Sequence, residues 1–140
     1  MLNECELTRF VEAQASIIDQ VRRELTSGLK RSHWMWFIFP QLRGLGHSPT
    51  AQYYAVADLA EARAYLKHPA LGNRLVDCTD LVNKIEGRSV HQIFGTPDDL
   101  KFHSFVTLFS LASPETTVFQ TASSKYFGGA LDSRTVDKLG

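Results

Sequence analysis

Thr96-Pro97-Asp98-Asp99-Leu100-Lys101-Phe102-His103-Ser104-Phe105-Val106-Thr107-Leu108-Phe109-Ser110-Leu111 is the stretch that decides the fold class. Its first four residues combine a hydroxyl cap, a proline at the first helical position and two carboxylates where helix amides lack partners. Leu100, Phe102, Phe105, Val106, Leu108, Phe109 and Leu111 follow, more apolar surface than one helix face needs. The segment is therefore expected to be a central helix. Asp98 and Asp99 are accounted for by capping and the helix dipole, and Lys101 by charge compensation with Asp98.

Working outward, the same signals recur on both sides. Ser113-Pro114 repeats the helix start, Val118, Phe119, Ala122 and Tyr126 form an apolar stripe, and Gly128-Gly129 ends it. Asp132 is placed to cap a last turn from Ser133 towards Leu139. Upstream, Phe10, Ala13, Ile17, Val21 and Leu25 recur at three- and four-residue spacings and predict one amphipathic helix over Thr8 to Ser27, stopped by Gly28, with Arg22, Arg23 and Glu24 at its wet edge. Ser48-Pro49 and Asp58 open short helices, and Pro69 opens a longer one carrying Leu71, Leu75, Cys78 and Val82, with Gly87 beyond its end. Alternating strands, repeats and low-complexity tracts are absent from the sequence. The expected fold is mainly α: a compact single-domain orthogonal helical array over residues 1–140, with a short aromatic segment near its N-terminus.

Composition narrows the function classes. A chain of 140 residues with 44% hydrophobic content can support one core. Fifteen Lys and Arg balance fifteen Asp and Glu, so no charge excess favours nucleic acid or an anionic membrane. Cys5 and Cys78 are too few for a disulfide scaffold or a zinc knuckle, and Cys78 is expected in the core. Met1-Leu2-Asn3-Glu4 carries no basic or apolar leader, and no segment approaches a membrane span, so a soluble cytoplasmic protein is expected.

Lys30-Arg31-Ser32-His33-Trp34-Met35-Trp36-Phe37-Ile38-Phe39-Pro40-Gln41 is the richest stretch for chemistry, because both tryptophans, a histidine and two cations fall within it. Ser32 could cap a short helix closed before Pro40. A helix sets Trp34 and Trp36 about 200° apart, whereas an extended chain sets them on one face. One Trp is expected as a core anchor, since burial returns about 25 cal/mol per Å² of apolar surface. The other can floor a ligand pocket, with Lys30 or Arg31 on a phosphate and Gln41 on a polar edge.

His33, His47, His68, His91 and His103 show no ligand spacing, and neither Gly44-Leu45-Gly46 nor Gly128-Gly129 has the context of a phosphate loop, so no metal or cofactor is implied. Ser32 and His33 are adjacent in sequence, which does not make them a nucleophile–base pair. His33 is a candidate general acid or base, because imidazole changes protonation near neutral pH. Asp132 either caps the last turn or presents a carboxylate that activates water or stabilises a cationic sugar. Tyr53, Tyr54, Lys101, His103, Ser104 and Tyr126 are the other groups able to complete a pocket. Glu12, Glu61 and Glu86 are expected on the surface.

Arg9-Phe10, Ala13-Gln14, the Lys30–Gln41 string, Gly44-Leu45-Gly46, His68-Pro69, Leu71-Gly72, Ile93-Phe94-Gly95 and Thr107-Leu108-Phe109 together resemble the DUF1810 family over nearly the whole chain. That resemblance implies a compact, mainly α-helical bacterial domain without an established reaction. More distantly, the order of Ser48 to Ala55, Ala62 to Leu71, Lys101 and Tyr126 to Asp132 is similar to the NADAR superfamily, which implies ADP-ribose or related N-glycosidic chemistry. The chain departs from that layout by carrying Gln52 and Tyr53 where an acid is expected, and by lacking a Trp-Gly ending after the late Asp. The expectation is thus a small protein binding or hydrolysing an ADP-ribose-like or other nucleotide-sugar ligand, with His33 and Asp132 as catalytic candidates. Lys30, Arg31, Trp34, Trp36, Gln41, Tyr54, Lys101 and Tyr126 are the binding candidates. The alternative is a non-enzymatic helical protein-interaction module.

Overall fold

A computed structural model describes residues 4–140, with side chains from residue 7 onward; residues 1–3 and the side chain of Cys5 lie outside it. Among the described residues ten helices follow in order: α1 Glu4–Ala15, α2 Ile18–Ser27, α3 Met35–Ile38, α4 Pro49–Tyr53, α5 Leu59–Lys67, α6 Leu71–Asn83, α7 Val90–Phe94, α8 Asp98–Ala112, α9 Thr117–Phe127 and α10 Ser133–Leu139. The mainly α fold expected from the sequence is the one that forms. Among the described residues the β pairing is limited to one parallel bridge, Leu42 to Val56, and no helix is long and apolar enough to cross a membrane.

The core is built around α8, which packs against α5, α7, α9 and α10. Phe102, Phe105, Val106, Leu108 and Phe109 are all fully buried, as a helix apolar on every side requires. Phe39 reaches this helix from the aromatic segment, with its ring 4.8 Å from Phe105 and 5.1 Å from Phe102. Leu100, counted with the apolar run from the sequence, is instead 61% exposed. The start also differs from expectation. The Thr96–Pro97 peptide is cis, the helix begins at Asp98, and Thr96 does not cap it; its hydroxyl lies 3.0 Å from His91 Nδ1.

The single helix expected over Thr8 to Ser27 is broken at Ser16-Ile17, where Ile17 leaves helical geometry (φ −125°, ψ −10°). The buried positions keep three- and four-residue spacing across the break: Phe10 and Gln14 on α1, then Ile18, Val21 and Leu25 on α2. Gly28 ends α2 as expected, in the left-handed conformation at φ 82°. Ser48, Asp58 and Asp132 cap α4, α5 and α10 through their side chains. Pro69 and Ser113-Pro114 open their helices less directly. At α6 the imidazole Nδ1 of His68 accepts from the Ala70 and Leu71 amides, and at α9 Ser113 bonds Glu115 and Thr116 before the helix begins. The short α7, with a Ser89/Gln92 capping box, has no counterpart in the sequence reading.

Candidate functional site

The aromatic segment is helical at α3, so its two tryptophans part company. Trp34 is fully buried, and its indole Nε1 donates to Glu24 Oε1 at 2.9 Å. Glu24, expected at a wet edge, is 7% exposed because the chain after α2 folds back over it. Its carboxylate accepts from five donors: the Arg31 and Ser32 amides, the Ser32 hydroxyl, the Trp34 indole and the Gln20 amide. Burial alone would raise its pKa, but these hydrogen bonds, led by the Arg31 amide, outweigh it and hold the carboxyl at about 2. Ser32 is thus tied to Glu24 and does not cap α3.

Lys30 lies against the buried ring of Trp34, with Nζ 5.1 Å from its centroid, and reaches Asp98 Oδ2 at 2.7 Å. Asp98 Oδ1 is 3.4 Å from Lys101 Nζ, and Lys101 in turn sits 4.7 Å over the ring of Trp36. One carboxylate therefore ties together two lysines, each lying over a different tryptophan. The pairing with Lys101 matches the sequence reading; the pairing with buried Lys30 replaces the capping role expected of Asp98.

Trp36 is half-buried and lines a cavity of about 290 Å³ together with Gln41, Lys101, Ser104, Asp132 and Arg134. Asp132 is held firmly. The Ser104 hydroxyl (3.1 Å), the Thr135 amide (3.1 Å) and the Thr135 hydroxyl (2.6 Å) all donate to its Oδ2, while Oδ1 carries none of these bonds. Its own amide donates to Thr107 Oγ1 at 2.9 Å. The capping role expected of Asp132 and its position in a cavity are thus compatible. Arg134, two residues on, donates to the Leu45 carbonyl at 3.0 Å and so joins α10 to the Gly44-Leu45-Gly46 turn.

Four of the ten candidate site residues, Trp36, Gln41, Lys101 and Asp132, share this cavity; Lys30, Arg31, His33, Trp34, Tyr54 and Tyr126 do not line it. Arg31 and His33 are exposed on the loop before α3. The ring of Tyr54 packs 5.3 Å from Phe37 and 5.8 Å from Phe10, and burial raises its phenol. The hydroxyl of Tyr126 donates to the Val82 carbonyl, and burial pushes its pKa up to about 12. Burial likewise raises the Cys78 thiol to about 12, which leaves it inert as a nucleophile. Glu61 is 2% exposed, contrary to the surface role expected of it, because it accepts from the Ala57 amide and lies 3.6 Å from Arg9. Arg134 was missed as a site residue. The cap at Asp132 was its one available signal, since it fixes α10 and puts residue 134 in the first turn beside that carboxylate. Among the described residues no group of three His, Cys, Asp or Glu side chains could hold a metal ion.

No functionally curated protein matches the chain. The crystal structure of the conserved hypothetical protein Rv1873 from Mycobacterium tuberculosis superposes with a TM-score of 0.95, at 52% sequence identity over 98% of each chain. The model of the family described as protein of unknown function (DUF1810) matches residues 4–139. With the family model matching nearly the full length and the fold shared with a solved structure at 52% identity, the chain belongs to the DUF1810 family.

Proposed function

We propose that the Trp36 cavity binds the sugar-phosphate portion of an ADP-ribose-like nucleotide sugar. The observation that carries this reading is the convergence of Trp36, Gln41, Lys101 and Asp132, drawn from three separate parts of the chain, on one cavity. A volume of about 290 Å³ lies at the lower edge of small-molecule sites, which run from about 300 to 1,000 Å³. That suits a ribose phosphate or a nucleoside, so the rest of a larger ligand would lie outside, beside exposed Leu100 at the rim.

The polar groups suit such a fragment. Lys101 and Arg134 offer two cations to a phosphate. Gln41 and Asp132 can bond sugar hydroxyls. Lys101 already covers one face of Trp36, so this Trp orients an ammonium more than it stacks on a base. For N-glycosidic hydrolysis, Asp132 is the better placed of the two catalytic candidates: its Oδ2 is fixed by three donors, and Oδ1 could accept a proton from an attacking water. His33 has no part in this version.

Calorimetric titration with ADP-ribose, ADP and ribose 5-phosphate tests the reading. Saturable binding is expected, weakened about tenfold or more by Lys101→Ala and by Trp36→Ala. Asp132→Asn preserves the cap, because Asn is an equally good N-cap; it is expected to retain binding while abolishing any ribosyl hydrolysis. Absence of binding from micromolar to millimolar ligand contradicts the reading and restores the interaction-module alternative.

A further inference from the structure

A second and larger cleft, of about 610 Å³, is lined by Arg9 and Glu12 of α1, Arg43, Tyr53 of α4 and Glu61 of α5. It shares no lining residue with the Trp36 cavity, although both use the segment between residues 41 and 53 as a wall. At its floor Arg9 donates through Nε to the Tyr53 carbonyl (2.7 Å) and through Nη2 to the Ala55 carbonyl (3.0 Å), and Nη2 lies 3.6 Å from Glu61. None of these bonds uses Nη1. Arg9 and Glu61 neutralise each other in a nearly buried setting, with side-chain exposures of 14% and 3%.

That leaves Arg43 and Glu12 as the uncompensated charges of the cleft. Both are exposed, and among the described residues neither side chain makes an ion pair or hydrogen bond. Tyr53, 60% exposed, supplies an aromatic face between helix and solvent. A simple anion drawn to Arg43 meets the field of Glu12, and a simple cation drawn to Glu12 meets that of Arg43. A ligand of zero net charge with separated charges satisfies both, and an apolar side chain on it gains contact with Tyr53.

We propose that this cleft is a separate binding site for a zwitterionic α-amino acid. Its carboxylate is received by Arg43, with Arg9 Nη1 as a second donor from the floor, its ammonium by Glu12, and its side chain by the ring of Tyr53.

The test is calorimetry of the full chain with L-phenylalanine, alongside 3-phenylpropionate, which lacks the ammonium, and phenethylamine, which lacks the carboxylate. Phenylalanine is expected to bind at least tenfold more tightly than either single-charge analogue. Arg43→Ala and Glu12→Ala, both at exposed positions and checked for unchanged melting temperature, are each expected to weaken it about tenfold. Lys101→Ala is expected to leave phenylalanine affinity unchanged, which separates this site from the Trp36 cavity. Equal affinity for either analogue, indifference to both cleft substitutions, or no phenylalanine binding up to millimolar concentration overturns the proposal.

Discussion

Glu24 shows how one side chain can organise a segment that sequence alone reads as exposed. A carboxylate on a helix edge is ordinarily solvated, and nothing local distinguishes Glu24 from its neighbours. It becomes buried because Gly28 turns the chain back and brings the amides of Arg31 and Ser32 and the indole of Trp34 onto it, which is a non-local event. With the folded pKa depressed from 4.5 to about 2, Glu24 stabilises the fold fully above about pH 4.5, and the contribution is lost as pH falls towards 2. A depression of that size corresponds to about 3 kcal/mol. Glu24→Gln is therefore expected to lower stability by about 3 kcal/mol at pH 7 and to flatten the decline between about pH 5 and 2, as read by urea unfolding across that range. A variant with the parent's acid sensitivity would contradict this role. Glu61 escaped the sequence reading through its distant partner: the bond from the Ala57 amide is local, but Arg9 becomes a neighbour only in the fold.

At the scale of elements, three caps were legible, while Thr96 and Ser32 bond His91 and Glu24 in place of capping, and the break between α1 and α2 was not legible. Ser48, Asp58 and Asp132 cap as their side-chain chemistry predicts, since an N-cap bond spans only three residues. The break at Ser16-Ile17 leaves the spacing of the buried positions Phe10, Gln14, Ile18, Val21 and Leu25 helical throughout, so periodicity carries no sign of it. Close packing governs the α5–α6 corner. A Cβ at Gly72 would stand 2.0 Å from the Leu66 carbonyl oxygen, so the two helices can meet this tightly only with glycine there. Alanine in a helix ordinarily gains about 1 kcal/mol over glycine. Gly72→Ala should reverse that sign and cost about 3 kcal/mol, because backbone must move to admit the methyl. In a thermal melt this corresponds to a fall on the order of 10 °C; an unchanged or raised midpoint would contradict the close approach.

For the molecule as a whole, the central position of α8 was legible from Phe102 to Phe109, since a helix apolar on all sides has nowhere else to go. Its partners were not, because periodicity reports that a face is buried without saying against what. The site divides the same way. The proximity of Lys101 to Asp98 follows from their spacing on one helix, and the division of labour between Trp34 and Trp36 follows from their angular separation once α3 is helical. The meeting of Trp36 with Asp132 and Arg134 is set by how α10 closes over α8, and no sequence pattern encodes it. The two tryptophans now offer separate reporters within one molecule: Trp36 on the cavity, and Trp34 locked to Glu24 beneath the surface. The most direct measurement is an NMR titration of the two indole N–H resonances with ADP-ribose. A saturable shift of the Trp36 resonance is expected, abolished by Lys101→Ala, with the Trp34 resonance nearly still. Equal small shifts of both, or none up to millimolar ligand, would contradict the assignment of this cavity as the binding site.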